Sequence, residues 1–149
     1  MKTTVAKLGV TVIALAAIMA IIGIIFLQQG FSTQSWLTNA MRQERITFEI
    51  DGKQTVIDSA EKAQKAGDTV REHRHGIATT YGDLLGGQNF DPTDPKQLTY
   101  AQALNLENYL YLGVASFGLA KVVLASGGFM LLTGIAFGVI GFALIKIAK

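Results

Sequence analysis

One uninterrupted stretch near the C-terminal end limits this chain more than any other feature. Residues 95–147 contain no proline after Pro95, and from Tyr109 to Ile145 the only charge is Lys121. Asp94 precedes Pro95, which is a helix-start pattern: the aspartate caps, and proline fits the first helical position, where no intrahelical amide bond is lost. Read as one helix, the stretch is about 80 Å long at ~1.5 Å per residue. A bilayer core needs only ~20 residues. The expectation is a helix that crosses a membrane and projects well outside it.

A second apolar run lies near the start. Residues 8–27 carry no charge and are just long enough to span. Lys2 and Lys7 precede this run and Lys146 and Lys149 close the other, while all eleven acids fall between Glu44 and Glu107. By the positive-inside tendency both termini are expected in the cytoplasm, with the middle of the chain on the other side of the membrane. A cleaved signal peptide is the rival reading. Against it, the apolar run exceeds the usual ~7–15 residues, and the residues after Leu27 make a poor small-x-small cleavage site. An uncleaved signal anchor is favoured.

The resulting plan is a cytoplasmic tail at 1–7, a first span at 8–28 and an extracytoplasmic domain at 29–108. A membrane-proximal apolar helix at 109–124, a second span at 125–146 and a cytoplasmic tail at 147–149 complete it. The fold class is a mainly α membrane protein whose second transmembrane helix extends far outside the bilayer, with a small α+β domain made of a β-hairpin plus a helix. Such a domain is near the lower size limit for a self-sufficient core. The chain has no cysteine, so neither disulfides nor thiolate metal sites can brace it.

Within that domain, residues 46–50 alternate apolar and polar as a half-buried strand does. Asp51-Gly52 is a favoured type I′ turn pair, which makes residues 53–57 the return strand. Asp58-Ser59-Ala60-Glu61 reads as a capping box with Asp58 as the cap. The helix it opens is expected to run to about His75, with Ala60, Ala63, Gly67 and Val70 inward and Gly76 as its terminator. A second helical piece is expected within 77–85. Residues 86–95 form a loop, with two Asp-Pro pairs and paired glycines.

If Lys146 marks the cytoplasmic edge, the outer edge of the second span lies near residues 125–128. Lys121 then snorkels in the outer headgroup layer. Lys7, Trp36, Lys121 and Lys146 are the expected membrane-interface anchors. Breaking the run at Ser126-Gly127-Gly128 into two short spans would bury Lys121 or send Lys146 outside, and is disfavoured. Gly127, Gly134 and Gly141 recur every seven residues, with Gly138 between; Gly9, Ala16 and Gly23 do the same, with Ala20 between. Two small-residue seams of equal period let helix backbones approach closely. They are the expected helix-packing interface, within one chain or between chains.

The run Ile77-Ala78-Thr79-Thr80-Tyr81-Gly82-Asp83-Leu84, the Asp-Pro loop, and Ala103-Leu104-Asn105 leading to Val114-Ala115-Ser116-Phe117-Gly118-Leu119-Ala120 resemble a group of small two-span bacterial membrane proteins, mostly actinobacterial. The resemblance covers about half the chain. It implies an N-terminal anchor, an extracytoplasmic segment with a histidine-bearing helix and a Thr-Tyr pair, and a C-terminal span preceded by Phe-Gly. It transfers no active site.

The chemistry-bearing residues are few. His73 and His75 are the only histidines, and two residues apart on a helix they point to nearly opposite sides. Asp68, Glu72 and His75 share a face, which reads best as a solvated polar surface with local ion pairs to Arg71 and Arg74. Asp91, Asp94 and Glu107 match no EF-hand spacing. No Gly-x-Ser-x-Gly or His-Glu-x-x-His is present. No cofactor, metal or nucleic-acid partner is expected, and no enzyme activity. The expected partners are the lipid bilayer and either further copies of the chain or other membrane subunits. An oligomeric channel or transporter component and a membrane-tethered binding module are the alternatives. Against a channel, which needs polar groups along its pore, Thr11 and Thr133 are the only hydroxyls deep in the apolar runs.

Overall fold

The computed structural model describes residues 2–148 apart from Asp51, and only the backbone of Ile50. The turn residue Asp51 and the basic flank Lys149 therefore lie outside the described residues. The order of elements is α1 (Lys2–Glu44), β1 (Thr47–Ile50), β2 (Lys53–Val56), α2 (Ala60–Ile77), α3 (Tyr81–Leu85) and α4 (Pro95–Ala148). The architecture is mainly α with one small antiparallel sheet. Helices α1 and α4 are both long and apolar enough to cross a membrane. Helix α4 continues through Ser126-Gly127-Gly128 without a break.

The chain divides into two compact units: 1–34 with 119–149, and 35–118. In the first, α1 and α4 pair antiparallel, rising numbers on one meeting falling numbers on the other. In the second, the hairpin, α2 and the remaining parts of the two long helices surround a core of Ile57, Ala63, Ala66, Val70 and Leu110. Met41, Phe48, Ala103, Leu106 and Val114 pack around it.

Local chemistry explains where the elements begin and end. Helix α1 does not stop after the first apolar run but continues to Glu44. It ends where Arg45 takes a left-handed conformation with φ 49°, a common way to close a helix. The Arg45 amide donates to Arg42 O at 3.2 Å. The strands pair with Thr47 opposite Val56 and Ile50 opposite Lys53, leaving a two-residue connection. Gly52 in that connection has φ +75°, the conformation such a turn requires. The Ile57 amide adds one more rung by donating to Ile46 O at 2.9 Å.

Ser59, not Asp58, caps α2: its hydroxyl oxygen accepts from the Lys62 amide at 3.4 Å. The Asp58 carboxylate is drawn instead to two cations, Arg42 at 2.8 Å and Lys62 at 2.7 Å. Both hydrogen bonds, that from Lys62 first, hold Asp58 below the usual carboxylate range, because each favours the charged form. Gly76 does not terminate the helix either. The helix runs on to Ile77, and the Ala78 amide closes it on Arg74 O. The next helical piece starts only at Tyr81, because Thr80 caps it through the Asp83 amide at 3.1 Å. Asp94 caps α4 by accepting from the Lys96 amide at 2.8 Å, as an N-terminal aspartate does.

Candidate functional site

The seam residues of the first unit come together within one chain. A Cβ built on Gly23 would lie 2.9 Å from both Gly127 O and Leu131 N, and one on Gly127 would lie 2.8 Å from Gly23 O. Gly9 and Gly141 meet in the same way: a Cβ on either would come within 2.9 Å of the other's carbonyl oxygen. Real Cβ atoms do not approach backbone this closely, so these four positions accept only hydrogen. Gly134 faces the backbone of Ala16 and Ala20. Gly138 is looser, with its nearest neighbour, Ala16 Cβ, at 3.9 Å.

The seam also extends one step beyond the sequence reading. Gly30 is buried, and a Cβ there would meet the Leu124 side chain at 2.6 Å. The signal was present, since Gly30 continues the spacing of Gly9, Ala16 and Gly23. A strict seven-residue repeat keeps one face of an α-helix toward its partner only if the pair winds gently around itself.

The second unit is held by charge. Arg74 of α2 donates from Nε to Glu107 Oε2 of α4 at 2.7 Å and from Nη2 to Oε1 at 3.4 Å. Its Nη1 donates to the Tyr100 hydroxyl. The guanidinium carbon lies 5.0 Å from the centre of the Tyr100 ring, within cation–π reach. Arg74, Glu107 and Tyr100 are all buried. The Glu107 carboxylate holds the Arg74 guanidinium above even its ordinary value. His75 Nε2 lies 3.2 Å from Arg74 Nη2.

A second link runs between the same helices. The Tyr111 hydroxyl donates to Asp68 Oδ1 at 2.7 Å, and Arg71 reaches the same oxygen at 3.0 Å. Burial, then the Asp68 carboxylate, pushes the Tyr111 hydroxyl up to about 12. The bonds from Tyr111 and Gln64 hold Asp68 below the usual range.

No family model matches this chain, and no curated protein or solved structure matches it either.

The remaining sequence candidates fall in separate places. Asp68 and Arg71 make the local pair expected of them, but Arg74 does not, because it turns inward to Glu107. Glu72, His73 and His75 are exposed. Asp91 accepts from the backbone and hydroxyl of Thr93, Asp94 caps α4, and Glu107 is committed to Arg74. Among the described residues no three histidines, aspartates or glutamates gather as a metal site would require. Lys7, Lys121 and Lys146 are exposed, and Trp36 is 68% exposed. The inward face of α2 gains Ala66 and Arg74, whereas Ala60 is only half-buried.

One concavity in the second unit adjoins its core. A groove of about 510 Å³ opens between the end of α1, the hairpin and α4. Its floor includes the core residues Ile57 and Leu110, and Trp36 and Tyr109 stand at its sides. Among the described residues, Glu44 is the one charged residue of its lining.

Proposed function

We propose that this chain is a non-enzymatic integral membrane protein of the bacterial cytoplasmic membrane. Its two ends are cytoplasmic and the unit at 35–118 extracytoplasmic, and it serves as a structural or accessory subunit. The observation that carries this reading is the contrast on α1 and α4 between a tightly packed seam and an apolar outer surface. Only 11% of the most apolar window of each helix is buried, unlike the core helix of a soluble protein. Phe129 and Leu132 are each 70% exposed. A bare apolar surface of this extent demands a covering, and hydrocarbon is the solvent that suits it.

The glycines bear on how it assembles. Their seams are occupied within the chain, so contacts to further copies or to other membrane subunits fall to the outer faces, where Leu119, Val122 and Phe142 are exposed. Native mass spectrometry from the protein's own membrane in mild detergent tests the proposal. A fixed multiple of the chain, or a larger mass containing other chains, is the expected result. A monodisperse monomer without copurifying partners would overturn the subunit role. Failure to float with liposomes after alkaline extraction would overturn membrane insertion.

A second reading, a membrane-tethered binding module, is favoured by the groove beside Trp36. It is compatible with the same topology.

A further inference from the structure

We propose that the groove of the second unit binds the hydrocarbon chain of a single-chain amphiphile whose head donates hydrogen bonds and carries no negative charge, an amine or an alcohol. The groove is an opening into the core, not a flat face: Ile57 and Leu110, 1% and 2% exposed, form part of its lining. Its volume is about 510 Å³. Small-ligand sites usually measure ~300–1,000 Å³ and are mostly apolar with a few polar groups.

Size argues for a slender occupant. An α-helix with its side chains is ~10–12 Å across, and one turn fills roughly 400–600 Å³. The groove would therefore take about one turn of a partner helix, too little to dock one, whereas a hydrocarbon chain lies along it. Gly113 keeps the space open. A Cβ there would lie 3.3 Å from Met41 Cε, and any larger side chain would grow into the groove.

Charge selects the head. Glu44 lines the groove and, among the described residues, no basic residue does. Glu44 is the last residue of α1, where the carbonyl end of the helix is already negative and a carboxylate is unfavourable by itself. The cation of that last turn, Arg42, is engaged with Asp58, and Glu44 has no hydrogen-bond or ion-pair partner among the described residues. Glu44 is exposed, so an ammonium or hydroxyl at this end of the groove would donate to its carboxylate in place of water, and a phosphate or carboxylate head would be repelled.

The inference deepens the binding-module reading, and the two fail separately: flotation reports on membrane insertion, and the following measurement on the groove. Trp36 is the only tryptophan of the chain and lines the groove, so its fluorescence reports occupancy directly. The full chain in mild detergent is titrated with brominated octadecylamine, octadecanol and stearic acid. Saturable quenching is expected with the amine and the alcohol, tighter for the amine, and little with the acid. Gly113→Leu and Ala40→Leu, each checked for native circular dichroism, weaken binding about ten-fold by displacing roughly two methylenes. Glu44→Gln abolishes the advantage of the amine over the alcohol. Quenching that rises linearly and equally in all the variants is micellar collision and overturns the site. Stearic acid binding as tightly as the amine overturns the assignment of the head.

Discussion

Each unit is held together internally by a different means. In the first, backbone meets backbone where Gly23 faces Gly127 and Gly9 faces Gly141, with aliphatic side chains such as Leu124 and Ile145 beside them. In the second, α2 and α4 are linked through side chains, by Arg74–Glu107–Tyr100 and by Asp68–Tyr111. The difference follows from the apolar area available. The inner face of α2 is mostly alanine and glycine, which buries little area, so directional bonds must fix its register on α4. The α1–α4 pair has no such shortage of close contact, because glycine lets long stretches of helix touch.

The largest expected effect lies in the charged unit. Arg74→Ala leaves the Glu107 carboxylate buried without a partner and is expected to cost about 3–5 kcal/mol. Arg74→Met combined with Glu107→Leu should recover most of that. Thermal unfolding followed by circular dichroism in detergent measures both, and an Arg74→Ala protein that melts like the parent would remove the ion pair as the organising contact.

Next comes the seam. Gly23→Leu cannot be accommodated by a side-chain shift, since the obstacles at 2.9 Å are the Gly127 carbonyl and the Leu131 amide. Overpacking of this kind costs about 1–3 kcal/mol, and more where backbone must move. The same melting experiment on Gly127→Leu should give a similar loss, and tolerance of either would break the contrast between the units.

A pH scan sharpens the comparison further. Asp58 and Asp68 are held below their ordinary value of 3.8, so the stability they lend is present above that value and fades as pH falls through their lowered folded values. Tyr111 is raised from 10.0 to about 12, so its contribution is complete below pH 10 and is lost as pH rises toward 12. The second unit should loosen at both extremes, read as near-ultraviolet tyrosine signal. The far-ultraviolet helix signal from the seam should hold throughout. The smallest effect is a gain: a Cβ on Gly128 meets nothing within 4 Å. Gly128→Ala should therefore add about 0.5–1 kcal/mol in the melting assay.

What could be read from the sequence was what repeats or what is local. The seven-residue spacing of small residues marked the seam, Asp94-Pro95 marked the start of α4, and the alternation around residues 46–57 placed the hairpin. What could not be read depends on partners distant in the chain. Asp58 looks like a cap until Arg42 and Lys62 compete for its carboxylate, which leaves the cap to Ser59. Arg74 looks like a surface residue until Glu107, more than thirty positions on, draws it inward. The one available clue was Glu107 itself, a single acid on the approach to a long apolar run.

The pairing of Gly9 with Gly141 joins two positions more than a hundred residues apart. It cannot form until synthesis has passed Gly141. At ~5–20 residues per second, the glycine face of α1 waits roughly 7–25 s before its partner emerges. For that interval α1 has only surrounding molecules to cover its small-residue stripe, and any earlier-made copy nearby competes with the chain's own tail. The order of synthesis makes this the step at which assembly is most exposed to error.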